Sequence, residues 1–173
     1  MKYTDKVMIK MRSFFIVTCL LLFFSCTKKN SSNTVQNPLF SLVDNTGINF
    51  SNTISNTKGS NIFNYRNFYN GAGVATGDIN NDGLADVFFT ANMGSNKLYL
   101  NKGEFQFDDI SEKAGFTDKH DWSTGVVMAD INEDGWLDIY VCNAGFINGQ
   151  APKNQLFINN RNLTFTESAA AMD

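Results

Sequence analysis

A nine-residue segment that occurs twice constrains the fold of this chain more than any other feature. Residues 78–86 read Asp-Ile-Asn-Asn-Asp-Gly-Leu-Ala-Asp, and residues 130–138, 52 positions later, read Asp-Ile-Asn-Glu-Asp-Gly-Trp-Leu-Asp. Both copies place oxygen-bearing side chains at positions one, three, five and nine and a glycine at position six. Apolar runs rich in β-forming residues flank each copy. The chain is therefore predicted to contain two repeats of one β-rich unit, each with the same loop.

The spacing within this loop is that of a calcium-binding loop. Calcium takes about six to eight oxygen ligands, and a short loop surrounds the ion when alternate residues point inward and a glycine permits the sharp turn. Position seven would offer its backbone carbonyl, which explains why two unlike side chains occur there, and Glu133 is expected to point away. The predicted ligands are Asp78, Asn80, Asp82, Leu84 and Asp86 in the first loop and Asp130, Asn132, Asp134, Trp136 and Asp138 in the second.

Two other interpretations of the loop compete with this one. An EF-hand closes with a bidentate Glu at position twelve between helices, but this chain has Phe89 or Val141 there, in runs of β-forming residues. A simple hairpin turn would also account for Asp-Gly. A turn needs no third carboxylate, however, and three acidic groups crowded in one loop repel one another unless a cation lies among them.

The N-terminus has the pattern of a secretory leader. Four basic residues precede an uncharged apolar run over residues 13–25, which is too short to span a membrane. The run ends in Ser25-Cys26, which resembles a bacterial lipobox. We therefore predict a signal peptide over 1–25, lipidation of Cys26, a polar tether over 26–37 and an outer-membrane lipoprotein of the cell envelope. The alternatives are a plain secretory signal with a chance cysteine and a cytosolic protein with an apolar N-terminus.

The charge balance supports cation binding and argues against nucleic acid. Without residues 1–25, which hold four basic residues and one acidic residue, the chain has 10 Lys plus Arg against 16 Asp plus Glu. No basic stripe is apparent, so no nucleic-acid partner is predicted. Cys142 would be the only thiol left in a lipidated chain and is expected to pack as a small hydrophobic residue.

The remainder of the chain is predicted to be all-β. Each repeat contains four candidate strands, which is the content of one propeller blade. The first set spans 73–78, 86–92, 97–101 and 105–110, and the second spans 125–130, 138–143, 155–159 and 163–167. The predicted domains are a closing strand and loop over 38–70, a blade over 71–121 and a second blade over 122–173.

The loop together with residues 71–74 and 98–101 resembles FG-GAP/VCBS repeats, the blade unit of integrin-α-like β-propellers. With the lipoprotein leader and the lead-in at residues 69–71, the chain is similar to bacterial envelope proteins of the cartilage-acidic-protein type, which often carry an ASPIC/UnbV module. No such module is discernible here. Because two blades cannot close a ring of about four to eight, the chain is expected to be the N-terminal part of a longer protein. Residues 40–48 would then supply the closing strand of another blade.

Other motifs in the chain are weaker. Residues 71–77 imitate a dinucleotide-binding fingerprint, but a hairpin follows instead of a helix. His120 is the only histidine and lies in a polar stretch, where a solvated linker is the preferred interpretation. We therefore expect a non-enzymatic module for binding or adhesion to a protein or glycan, held by an N-terminal lipid. The alternatives are part of a calcium-dependent polysaccharide-processing enzyme and a structural fragment inactive without the rest of a longer protein.

Overall fold

The computed structural model describes residues 39–117, 122–145 and 152–171. The chain divides into two compact units, Met1–Ser41 and Leu42–Asp173. The predicted leader, Cys26, the tether and His120 lie outside the described residues, and of the first unit only residues 39–41 are described. Within the described ranges, no helix is both long and apolar enough to cross a membrane.

The second unit contains two four-stranded antiparallel sheets, which confirms the all-β prediction. Their strand orders are β1-β2-β3-β4 and β5-β6-β7-β8, so each sheet is a simple meander of neighbouring strands. The first sheet contains β1 Val74–Gly77, β2 Asp86–Phe89, β3 Lys97–Asn101 and β4 Phe107–Asp109, and the second contains β5 Ser123–Ala129, β6 Asp138–Asn143, β7 Gln155–Asn159 and β8 Phe165–Glu167.

The two sheets share one register, as expected of repeated units. Phe88 pairs with Leu98 between β2 and β3, and the corresponding Tyr140 pairs with Leu156 between β6 and β7. At the end of each strand order, β3 pairs with β4 in the same way as β7 pairs with β8. Each repeat is therefore one blade with the strands in the same places.

Several strands differ from their predicted bounds, in most cases because residues predicted at a strand end lie in a turn. The fourth strands, β4 and β8, begin two residues later than predicted. Phe105 and Leu163 have φ of 58° and 66°, which places them in the left-handed region rather than in a strand. In the second blade, β5 begins two residues earlier than predicted and contains a β-bulge between Ser123 and Val126.

Two short helices follow the fourth strands and were absent from the prediction. Helix α1 spans Ser111–Ala114 and ends at Gly115, whose φ of 97° provides the left-handed cap. A 3₁₀ helix spans Ala169–Ala171 at the corresponding place in the second blade. Each helix is a single turn, and the chain remains all-β in character.

The hydrophobic core lies between the two blades. Phe88 and Leu98 of the first blade and Ile139 and Val141 of the second are fully buried in one cluster. Phe116, from the segment between the blades, joins them, with its ring centroid 4.9 Å from those of both Phe88 and Phe157. The two blades therefore share a core within this unit, and Phe116 packs against both of them.

The segment before the first blade forms no regular strand in the structure. No strand is present between residues 39 and 73, so the predicted strand over residues 40–48 is not formed here. Thr46 accepts one backbone hydrogen bond from Phe107 at 2.8 Å, and Phe50 stacks on Phe89 with ring centroids 4.8 Å apart. One hydrogen bond does not make a ladder, so the segment covers a face of the first blade instead. Its predicted role in another blade stays a prediction.

Candidate metal-binding loops

The two repeated loops lie at the same end of neighbouring blades. The first joins β1 to β2 and the second joins β5 to β6. Asn81 of the first loop donates a side-chain hydrogen bond to the carbonyl of Gly135 in the second, at 3.1 Å. Asn159 of the second blade reaches the carbonyl of Ile79 in the first loop at 2.8 Å. The structure thus brings the two predicted ligand sets side by side.

Position one of each loop accepts backbone hydrogen bonds from positions five and six. Asp78 Oδ1 accepts from the N–H of Asp82 at 3.1 Å, and its Oδ2 accepts from Gly83 at 2.8 Å. In the second loop, Asp130 makes the same bonds at 2.9 and 2.8 Å. The sharp turn requires left-handed backbone at positions four and six, where Asn81 and Gly83 have φ of 59° and 86°. These bonds explain why aspartate begins the motif.

Positions three and five are hydrogen-bonded to each other. Asn80 Oδ1 accepts from the N–H of Asp82 at 3.2 Å, and its amide donates to Asp82 Oδ2 at 2.9 Å. Asp82 Oδ1 accepts from the N–H of Leu84 at 2.8 Å. These bonds from Asn80 and Leu84 hold the pKa of the Asp82 carboxyl below its ordinary value. Asn132, Asp134 and Trp136 repeat the arrangement at 2.9 to 3.1 Å.

Position nine has a structural task that sequence reasoning did not assign to it. Asp86 is fully buried, and its two oxygens accept the N–H groups of Ile79 at 3.0 Å and Asn101 at 2.8 Å. It therefore ties the start of the loop to the end of β3. Burial raises the pKa of the Asp86 carboxyl, while the N–H groups of Asn101 and Ile79 oppose that rise. Asp138, equally buried, makes the same bonds at 3.0 and 2.8 Å.

The donor chemistry of both loops fits a hard cation such as calcium. Carboxylate and amide oxygens are the ligands that calcium prefers, and a carboxylate has about four lone-pair sites, more than the loop's hydrogen bonds fill. In the described ranges, no group of three or more His, Cys, Asp or Glu side chains is arranged to hold a metal. Leu84 and Trp136, predicted to offer carbonyl oxygens, use their N–H groups within the loop. The loops therefore contain suitable donors in a hydrogen-bonded arrangement.

One basic residue distinguishes the second loop from the first. Arg161, in the turn between β7 and β8, places Nη2 2.9 Å from Asp134 Oδ2. This arginine lowers the pKa of the Asp134 carboxyl, and the Trp136 and Asn132 hydrogen bonds lower it further. The corresponding residue of the first blade is Gly103, because Asn101 and Asn159 end β3 and β7 at equivalent positions. Sequence reasoning missed this ion pair, although aligning the two turns would have revealed the unequal residues.

Comparison with known proteins agrees with this geometry. Residues 78–141, from the start of the first loop into β6, match the FG-GAP-like repeat family. These residues are FG-GAP-like repeats. With two four-stranded sheets in meander order, this part of the chain is a β-propeller-like module.

Part of the chain also aligns with animal proteins. Cartilage acidic protein 1 from Xenopus tropicalis is 41% identical over 69 residues, and the Homo sapiens protein is 39% identical over 69 residues. Each alignment covers 40% of this chain but only 11% and 10% of the respective relatives. The similarity therefore covers less than half of this chain, and together with the family match it suggests a non-catalytic module.

Proposed function

We propose that this chain is a calcium-binding, lipid-anchored β-propeller module of the bacterial cell envelope that binds a protein or glycan. The observation that carries the proposal is the near-identity of the two loops. Both present the same oxygen donors at the same positions, supported by the same backbone hydrogen bonds. Such duplication of a donor set indicates that the donors themselves matter, because a hairpin turn alone requires only the Asn-Gly or Asp-Gly step.

Calcium in these loops would neutralise the crowded carboxylates. In the first loop, the ion would be held by the side chains of Asp78, Asn80, Asp82 and Asp86 and the carbonyl of Leu84. In the second loop, it would be held by the side chains of Asp130, Asn132, Asp134 and Asp138 and the carbonyl of Trp136. The chain itself positions these groups through the backbone N–H groups of each loop. Since the position-nine carboxylate also bonds to the third strand of its blade, an ion in the loop would stiffen the blade.

A groove near the start of β1 and β5 supports a binding role. Its volume is about 430 Å³, and its lining includes Tyr65, Asn67, Asn70, Gly73 and Thr124. An aromatic ring and amide groups together suit the apolar faces and hydroxyl groups of a sugar. We therefore expect the full chain to retain glycans on an array. Replacing Tyr65 by Ala should reduce that retention, and an array with no retained glycan in calcium would exclude the glycan part of the proposal.

Calorimetric titration of the full chain with calcium chloride tests the metal sites. We expect two bound ions, with affinities on the order of 10⁻⁴ to 10⁻³ M as in extracellular modules. Asp82→Ala and Asp134→Ala should each remove one ion. The control is Asp108→Ala, which removes an exposed carboxylate of β4 outside the loops and should still bind two ions. Absence of calcium-dependent heat in the unaltered chain would refute the sites.

Fractionation of cells that express the full chain tests the lipid anchor. The Ser25-Cys26 step motivates the expectation that the chain is acylated at Cys26 and sediments with membranes. Cys26→Ser should release it, whereas Cys142→Ser, which alters a thiol within β6, should leave it bound. Mass spectrometry that finds unmodified Cys26 in the membrane fraction would overturn the anchor.

A further inference from the structure

We propose that Arg161 acts as a tethered cation for the second loop, so that the two loops bind calcium with unequal affinity although their ligand sequences match. The inference rests on the proposed calcium sites and adds a residue that sets the affinity of one of them. Arg161 is not part of the loop motif. It reaches the loop from the turn between β7 and β8.

The arginine engages Asp134, a predicted metal ligand that already accepts two hydrogen bonds within its own loop. Asp134 Oδ1 accepts the N–H of Trp136 at 2.9 Å, and Oδ2 accepts the Asn132 amide at 3.0 Å. Arg161 adds a charged contact to Oδ2 at 2.9 Å. An ion entering this loop must therefore displace the guanidinium group or bind beside a positive charge.

The first loop has the same internal hydrogen bonds without this cation. Asp82 accepts the N–H of Leu84 at 2.8 Å and the amide of Asn80 at 2.9 Å, and no arginine pairs with it in the described part of the chain. Lys102 forms no ion pair with this carboxylate among the described residues. The carboxylates of the first loop thus depend more on an external cation for charge neutralisation than those of the second loop do.

The two turns that differ at this position have the same backbone geometry. Gly103 and Arg161 each lie two residues after the asparagine that ends the third strand of their blade. Each donates its backbone N–H to the side-chain oxygen of that asparagine, at 2.9 and 2.8 Å. Both are left-handed, with φ of 85° and 63°. A Cβ added at Gly103 would meet no atom within 4 Å. Glycine and arginine can therefore be exchanged between the turns, with at most the modest strain that a non-glycine residue already tolerates at position 161.

The expected size of the effect follows from the exposure of the pair. The Arg161 side chain is 54% exposed and that of Asp134 is 18% exposed, so water screens their attraction. Pairs of this kind change an equilibrium by up to about five-fold, and repulsion between the guanidinium group and calcium adds to it. We expect calcium to bind the second loop about two- to ten-fold more weakly than the first. The difference should shrink as salt is raised, because salt screens exposed charges.

Calorimetric titration with calcium chloride, with one loop disabled at a time, tests this inference on the full chain. In the Asp82→Ala background, which leaves the second loop, Arg161→Gly and Arg161→Gln should both raise calcium affinity about two- to ten-fold. Arg161→Lys retains a positive charge and should change it least. In the Asp134→Ala background, Gly103→Arg should lower the affinity of the first loop. Circular dichroism identifies any variant that fails to fold, and the glutamine and glycine variants test the same charge independently.

The possible outcomes separate this inference from the proposal on which it rests. The unaltered chain could bind calcium while Arg161→Gly and Arg161→Gln leave the calcium affinity of the second loop unchanged. That result would overturn the role of Arg161 without contradicting the calcium sites. No calcium binding by any variant would overturn both. A gain in affinity only in the glycine variant would assign the effect to turn flexibility and would also contradict the inference.

Discussion

At the scale of single residues, the last aspartate of each loop joins two parts of a blade. Asp86 lies 15 residues from its partner Asn101, while Asp138 lies 21 residues from Asn159, yet both make the same bond at 2.8 Å. The loop motif alone suggested only a metal ligand at this position. Full burial together with two backbone donors shows that the carboxylate also supports the fold.

Asp86→Ala should therefore destabilise the chain even when a chelator removes all calcium. The substitution leaves the N–H groups of Ile79 and Asn101 without their acceptor in a buried place, which costs about 2–4 kcal/mol of the free energy of unfolding. Urea denaturation in EDTA measures it, with Asp108→Ala as the control, for which a change within about 0.5 kcal/mol is expected. Equal stability of Asp86→Ala and the unaltered chain in EDTA would leave the residue only a metal-binding role.

Asp109 on β4 should make stability depend on acid pH. Burial tends to raise the pKa of its carboxyl, but hydrogen bonds from Lys97 and Ser111 together outweigh burial and lower it. Because the folded-state pKa lies below an unfolded value of about 3.9, the stabilisation is complete above about pH 5 and is lost as the pH falls through the folded-state pKa.

The Asp109→Asn variant should consequently lose less stability than the unaltered chain between about pH 5 and pH 2. Urea denaturation at a series of pH values measures the two slopes. Asp108→Asn is the control, because it removes the neighbouring carboxylate and keeps the contacts of Lys97. Parallel curves for Asp109→Asn and the unaltered chain would show that this carboxylate does not control acid stability.

At the scale of elements, most strands could be predicted because their signals are local. The bounds of β3, β6 and β7 agree with the apolar runs of the sequence. Where a strand ends depends on the backbone conformation of the adjoining turn. Phe105 and Leu163 have a positive φ, so their placement in strands was wrong. The Arg161–Asp134 pair depends on how the turn between β7 and β8 meets the second loop in space. Such a contact leaves no local pattern to read.

The two blades approach each other closely at Gly73, just before β1 begins. A Cβ added at Gly73 would lie 2.4 Å from the carbonyl oxygen of Thr124, which is backbone and cannot move aside freely. Gly73→Ala should therefore push the blades apart and lower the free energy of unfolding by about 1–3 kcal/mol. Gly125→Ala is the matched control, because its Cβ would make ordinary contact with Cys142 at 3.7 Å. Equal effects of the two substitutions on urea denaturation would show that the approach at Gly73 is not limiting.

At the scale of the whole molecule, the two loops adjoin the shared core, because Ile79 of the first loop belongs to the core cluster and Leu137 of the second packs against it. The shared core around Phe116 is a cluster of apolar side chains, whereas each loop holds three aspartates among its predicted ligands. The folded pair can therefore form around its apolar core, while carboxylate repulsion at the loops opposes it until a cation binds. On this account calcium adds stability to a fold that is already present.

The melting temperature of the full chain in 10 mM calcium chloride and in EDTA, followed by circular dichroism, tests this account most directly. With affinities on the order of 10⁻⁴ to 10⁻³ M, each loop should contribute about 1.4–2.7 kcal/mol at that concentration, which corresponds to an increase of several degrees. The chain with Asp82→Ala and Asp134→Ala together should melt at nearly the same temperature in both conditions. If the unaltered chain also melts at one temperature with and without calcium, the loops are turns and the central claim is wrong.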